Sequence, residues 1–186
     1  GTGYNALAGT LTVQNGGVLT INTGNSITVT DWVNVGATGN FTIENNSSLI
    51  QIHDNATNTG DINYHRNTLV KLYDYIYWSS PVATYNISAI PTDITYTAPS
   101  VFSRIYSWNT TVANDPPANL YGYGNWVGIN ATTGTNMEIA KGYIARVADT
   151  YTTSPSTFYG KFKGVPNNGI IQYTISRGSF TGTSYA

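Results

Sequence analysis

Aromatic side chains supply the most usable chemistry in this chain. Tyr73, Tyr75 and Tyr77 alternate along one short segment, and Trp108, Tyr121, Tyr123 and Trp126 follow further on. Alternate residues of a strand share a face, so the three tyrosines would form a stripe. Sugars lay their apolar C–H faces on such rings, and Asn or Asp completes the polar recognition. The later four rings fall in or near turn-rich segments. The bland reading is that Trp78, Trp108 and Trp126 fill a core, and that the Tyr stripe is a second buried face. Exposure decides between the two.

Other chemistry is sparse. Asp54, Asn55, Asn58 and Asp61 place four hard oxygen donors in one stretch, and Ca²⁺ takes such ligands. Their spacing is not that of a defined Ca²⁺ loop, and the same stretch reads as a polar linker turn. Zinc is weaker still: His53 and His65 are the only histidines, there is no cysteine, and a closed site takes four ligands. No cofactor other than Ca²⁺ is indicated. Glu44 and Glu138 are the only glutamates, joined by Asp31, Asp54, Asp61, Asp74, Asp93, Asp115 and Asp149. A glycosidase needs two carboxyl groups across a cleft, and no pair is marked by spacing. Asp74 falls on the apolar face of its segment, where it needs a partner such as Arg104 or Arg146. Ser79 and Ser80 lack the glycines of a nucleophile elbow. The expectation is therefore a protein that binds rather than catalyses.

Composition narrows the partners. Charged residues make up 9 % of the 186, against about a quarter in ordinary soluble domains. Net charge is -1, which gives no electrostatic footprint for nucleic acid or anionic membrane. No apolar run approaches the ~18 residues of a membrane span. Without cysteine, disulfides are not the stabiliser. Asn, Thr, Gly, Ser and Tyr carry the solubility, as in many extracellular β proteins. No signal peptide is visible, and the chain opens at Gly1 as a mature or excised fragment would.

The elements that must position these side chains fall into two parts. Leu11-Thr12-Val13, Leu19-Thr20-Ile21, Ile27-Thr28-Val29, Val33-Asn34-Val35, Phe41-Thr42-Ile43 and Ile50-Gln51-Ile52 repeat one apolar-polar-apolar unit, with Gly, Asn or Ser between. A unit so short cannot bury its own apolar face and must stack on its neighbours. Residues 1–60 therefore read as a short β-solenoid, preferred over an antiparallel meander. Leu19, Ile27, Val33, Val35, Phe41 and Ile43 should point inward, with Thr20, Thr28, Asn34 and Thr42 outward. Near residue 60 the composition changes: all eight basic residues, all seven prolines and fourteen of the fifteen tyrosines lie beyond it. Residues 61–186 read as a β-sandwich or jelly roll, with strands expected at 70–78, 102–108, 143–147, 157–163 and 170–176. The whole is all-β. The second part should pack end to end on the first and cap it through Leu49, Ile50, Ile52 and Ile62.

Five segments in order carry a resemblance: Tyr73-Asp-Tyr-Ile-Tyr-Trp-Ser-Ser-Pro-Val82, Ile105-Tyr-Ser-Trp-Asn109, Gly124-Asn-Trp-Val127, Ala140-Lys-Gly-Tyr-Ile-Ala-Arg146 and Phe162-Lys-Gly-Val-Pro-Asn-Asn-Gly169. Together they resemble a segment of the large secreted surface proteins of Bacteroidetes, especially flavobacteria, which the type IX secretion system exports. The N-terminal repeats resemble those that commonly precede it. The resemblance implies an extracellular, cell-surface location and an adhesin-like, structural role. It also implies neighbouring domains of a larger parent chain, with a surface glycan or another cell-surface protein as partner. A carbohydrate-binding module of a polysaccharide-degrading protein is the alternative, and a hydrolase with an unrecognised site the third reading.

Overall fold

The computed structural model describes residues 3–92, 102–113 and 123–176. These residues are all-β, with a single 3-10 turn at Ile87–Thr92 and no helix long and apolar enough to cross a membrane. The sheets are open; none closes into a barrel.

The N-terminal strands are β1 (Asn5–Ala8), β2 (Leu11–Val13), β3 (Val18–Ile21), β4 (Ser26–Val29), β5 (Val33–Val35), β6 (Asn40–Ile43) and β7 (Ser48–Gln51). Each is three or four residues long, because Gly, Asn or Ser interrupts the apolar alternation at every corner. The corners are tight turns. The amide of Gly17 donates to Gln14 O, and those of Asn25, Gly39 and Ser47 to Asn22 O, Gly36 O and Glu44 O. The repeats do not stack on their sequence neighbours. Each pairs in parallel with the copy three units on: Leu11 lies beside Val33, Leu19 beside Phe41 and Ile27 beside Leu49. One turn of chain is thus 22 residues, the separation of Gly16 from the Thr38 side chain it bonds. Val29, Val33, Phe41 and Ile43 are fully buried, Val13, Ile21, Ile27 and Val35 nearly so, and Leu11, Leu19 and Leu49 pack against them. Thr20 is exposed, and Thr28, Asn34 and Thr42 are half-exposed on the outer side.

The last repeat differs from its expected register. Leu49, not Ile50, is the partner of Ile27, so Ile50 and Ile52 point outward and are 44 % and 56 % exposed. A slip of one residue exchanges the two faces of a strand. Of the four residues expected at the contact between the two parts, Ile50 and Ile52 are therefore exposed, whereas Leu49 packs against the core and Ile62 is fully buried in it.

The remaining strands are β8 (Ile62–Val70), β9 (Tyr75–Trp78), β10 (Arg104–Ala113), β11 (Tyr123–Ile129), β12 (Tyr143–Arg146) and β13 (Ser156–Gly164). Strand β8 pairs in parallel with β6 at Ile62, Asn63 and Tyr64, and antiparallel with β13 along its whole length. One sheet therefore runs β13-β8-β6-β3, and a second runs β11-β10-β12-β9. The two meet through rings: Trp78 of β9 sits 5.9 Å from Phe158 and 5.7 Å from Phe162 of β13, and Phe102 stacks on Phe158 at 5.4 Å. Gly160 lies between the two phenylalanines because Trp78 occupies its side-chain space; a Cβ there would stand 2.8 Å from the indole.

Three expected elements differ. Residues 70–78 are not one strand. The chain turns at 71–74, with Tyr73 at φ 77° and the Asp74 amide bonded to Lys71 O. The Asp74 carboxylate accepts from the Lys71 amide at 2.7 Å, so it closes this exposed turn instead of facing an apolar layer beside an arginine. Residues 170–176 form no strand. Strand β11 arises where Trp126 was read as near a loop.

Two substitutions test the register of β7. Leu49→Asp should destabilise the protein by several kcal/mol, since it places a charge against the core, and Ile50→Asp should change stability by less than about 0.5 kcal/mol. Thermal unfolding of the two variants checks this, and equal losses would reverse the assignment. Phe41→Ala should cost about 3–5 kcal/mol.

Candidate functional site

The outer face of the β11-β10-β12-β9 sheet carries the aromatic residues. Cross-strand partners share a face, so the register groups side chains into rows. Tyr75, Arg146 and Arg104 form one row, and Tyr77, Ile144, Tyr106 and Gly128 the next. Trp108 and Trp126 follow. The opposite face holds Ile105, Tyr143 and Ala145, all buried in the core. Strict alternation thus forces the rings outward: with Ile105 and Ala145 inside, Arg104, Tyr106 and Trp108 have no inward choice.

The rings are open to solvent. Tyr77 is 75 % exposed, Trp108 45 %, Tyr75 42 % and Trp126 39 %. Trp108 and Trp126 meet edge to face at 5.2 Å, and Tyr75 stands 6.2 Å from Tyr106. Gly124 has no Cβ where the Trp108 indole lies, and a Cβ there would come within 2.5 Å of the ring. Ile144, in the middle of the face, is buried although it points outward. Between them these groups make an apolar surface in which Trp108 packs on Trp126 and Tyr75 on Tyr106.

Charge sits at one end of the face. The Arg146 guanidinium pairs with Asp149 and donates from Nε to Ser103 Oγ at 2.8 Å. It also lies 5.1 Å from the centre of the Tyr73 ring. Arg104 is fully exposed, and its hydrogen bond with Tyr106 raises its pKa further.

At the other end, a groove of about 530 Å³ opens beside Tyr77, Trp108 and Trp126. Its further wall is Tyr173 to Ser176, which crosses without joining a ladder. Two side-chain bonds hold that segment: the Tyr173 hydroxyl donates to Glu138 Oε2 at 3.1 Å, and Thr110 Oγ1 meets Ser176 Oγ at 3.2 Å. Lys141 Nζ lies 2.6 Å from Glu138 Oε1. That hydrogen bond is the main cause holding the carboxyl below its usual range and the ammonium above its own. Partial burial raises the Tyr173 phenol.

Of the aromatic residues singled out in the sequence, Tyr75, Tyr77, Trp108 and Trp126 come together on this face. Tyr73 stands apart in the turn before β9, 63 % exposed. Tyr121 lies outside the described residues, as does the side chain of Tyr123. Neither Trp108 nor Trp126 is in a loop or in the core, and only Trp78 fills the core. Sequence reading missed Tyr106, although its alternation with Ile105 and Ser107 placed it beside Trp108. Tyr173 had no such signal.

In the donor stretch at 54–61, Asn58 is engaged by protein groups. Asn58 Oδ1 accepts from the Val33 amide and from Gln51 Nε2, both at 2.9 Å. Its Nδ2 donates to Gln51 Oε1 at 2.7 Å and Pro166 O at 3.1 Å. The Thr59 amide donates to Val33 O, and the Val35 amide to Thr59 O. This loop therefore continues the β5 ladder, and Asn58 Oδ1 is already taken by two protein donors. Asp54, Asn55 and Asp61 are exposed. Among the described residues no three His, Cys, Asp or Glu side chains stand together. The two histidines pair separately across the coil, His53 with Asp31 at 3.4 Å and His65 with Glu44 at 3.0 Å.

The chain belongs to a protein family described as "Domain of unknown function (DUF8693)", whose match spans residues 1–186. No curated protein and no solved structure gave a match to it.

Asn58→Ala should lower the unfolding midpoint in calcium and in chelator alike, with a loss of about 1–3 kcal/mol for the groups left unpaired. Asn55→Ala should leave both midpoints unchanged. A midpoint that rises with Ca²⁺, and no longer does so after Asn55→Ala, would establish a Ca²⁺ site in this stretch.

Proposed function

We propose that this chain is a non-catalytic structural and adhesive segment of a secreted bacterial cell-surface protein. In this reading residues 1–60 form a β-solenoid that extends the molecule. Residues 61–186 form a sandwich that caps it end to end and presents a contact surface. The observation that carries the reading is the outer face of Tyr75, Tyr77, Tyr106, Trp108 and Trp126. Monomeric proteins rarely leave a contiguous apolar surface open unless it meets something. The parallel pairing of β1, β4 and β7 and the shared strand β8 support the architecture. The resemblance to type IX-secreted flavobacterial surface proteins and the near-uncharged composition support the location.

A non-catalytic role is consistent with where the acids lie. Asp74 closes a turn, Glu44 pairs with His65, and Glu138 is held by Lys141 and Tyr173. The second reading, a carbohydrate-binding module, is favoured by the groove beside Tyr77, Trp108 and Trp126, which is within the size range of ligand pockets.

Retention of the purified chain on whole bacterial cells and on insoluble polysaccharides tests the contact face. The variant Tyr75→Ser/Trp126→Ser should keep the wild-type unfolding midpoint and lose at least tenfold in retention. Unchanged retention would remove the face from the function, and release of soluble sugars by the wild-type chain would make the enzyme reading primary.

A further inference from the structure

We infer that the groove over Gly142 is a subsite for one hexopyranose unit of a neutral polysaccharide, walled by Tyr77 and Trp108. This deepens the contact-face reading and rests on it. Gly142 lies one position before Tyr143, which pairs with Trp78 on one side and Ser107 on the other. It therefore sits between β9 and β10, on the face that carries Tyr77 and Trp108. It leaves a gap in that face, because a Cβ at Gly142 would meet nothing within 4 Å. Tyr77 stands in the Ile144 row and Trp108 in the next, so the two rings border Gly142 diagonally, from strands two inter-strand spacings, about 9–10 Å, apart. A saturated ring with C–H groups on its faces can lie in this gap against either aromatic side chain, both of which line the groove.

The charges select the class of sugar. Lys141 and Glu138, the charged pair at the groove, neutralise each other at 2.6 Å, and the second Glu138 oxygen is taken by Tyr173. Among the described residues an acidic sugar would gain no free cation there, since Arg104 and Arg146 stand at the far end of the face, beyond the Tyr77 row. Neutral donors and acceptors border the gap instead. Asn109 Oδ1 is bonded to Thr111, which leaves the Asn109 amide N–H groups to donate, and Thr110 and Ser176 add hydroxyls. The groove, about 530 Å³, is within the size range of ligand pockets and is open enough for the polymer to continue on either side of the bound unit.

The test is affinity electrophoresis of the intact chain in native gels containing mixed-linkage β-glucan, galactomannan or polygalacturonate. The wild-type chain should be retarded by a neutral polymer and not by polygalacturonate. Tyr77→Ala and Trp108→Ala should each weaken retardation at least tenfold. Gly142→Val should abolish it with the unfolding midpoint unchanged, because the new side chain enters open space. Four results would overturn the subsite: retardation by polygalacturonate as strong as by the neutral polymers, no retardation by either neutral polymer, unchanged retardation of Gly142→Val, or self-association that Gly142→Val relieves, which would make a second copy the occupant. Cell retention separates the two levels. If it is lost in Tyr75→Ser/Trp126→Ser but kept in Gly142→Val while no polymer binds, the subsite falls and the contact face stands. If neither variant affects it, both fall.

Discussion

Strand β8 has two edges, and each belongs to a different kind of ladder. On one edge it continues the parallel pairing of β3 and β6; on the other it holds β13 antiparallel over nine residues. A stack of parallel strands ends in a row of unpaired amides and carbonyls, and those groups must be satisfied or left to recruit another chain. Here the β3-β6 stack ends on β8 and the β2-β5 stack on the loop at Asn58 and Thr59. Residues 166–169 then clasp that loop. Asn168 Nδ2 donates to His53 O and Ala56 O, and Gly169, at φ 86°, lies where a Cβ would come within 2.3 Å of Asp54 O. The seal is partly polar. Arg66 points inward from β8, donates to Glu44 O, His65 O and Ser47 O, and lies 3.8 Å over the Tyr64 ring. Burial lowers its pKa, and the carbonyls and the ring offset that cost.

The placement of the aromatic face follows from the same strand. Pairing with β8 fixes β13, so Phe158 and Phe162 point into the molecule. Those rings and the space at Gly160 receive Trp78. With Trp78 inside, Tyr75 and Tyr77 must alternate outward, and the ladder β9-β12-β10-β11 carries that choice across to Trp108 and Trp126. The exposed rings are thus held by buried ones on the reverse of the same strands. Under the proposal that this face is a contact surface, building it on a sheet would order it before anything binds and reduce the entropy cost of association.

The sequence made the all-β class, the inward positions of the early repeats and the aromatic character of the face legible, because each is a period-two pattern in side chains. It also held the 22-residue turn. Three successive repeat intervals make up one turn, so Ile27 points to Leu49 rather than Ile50. Reading single intervals hid this and put the last repeat out by one. Strand β8 was missed because its outward residues are Asn63, His65 and Asn67 and its inward ones include Arg66, so it has no apolar alternation to read. The break at 71–74 was missed because Tyr73 and Asp74 preserve the alternation across a turn. The four hydrogen bonds of Asn58 were not legible either, because its residue type suits a Ca²⁺ ligand and an open backbone edge alike, and its partners Val33, Gln51 and Pro166 are brought to it only by the fold.

If β8 joins the parallel coil and the aromatic sheet into one body, the two must unfold together. Native-state hydrogen exchange with rising denaturant reads this residue by residue. The slowest amides of β6, β8, β12 and β13 should converge on one global unfolding isotherm with a common free energy and slope. Two separate isotherms, with β6 opening well below β12 and β13, would show that the coil and the aromatic sheet are independent, and the face would lose its rigid support.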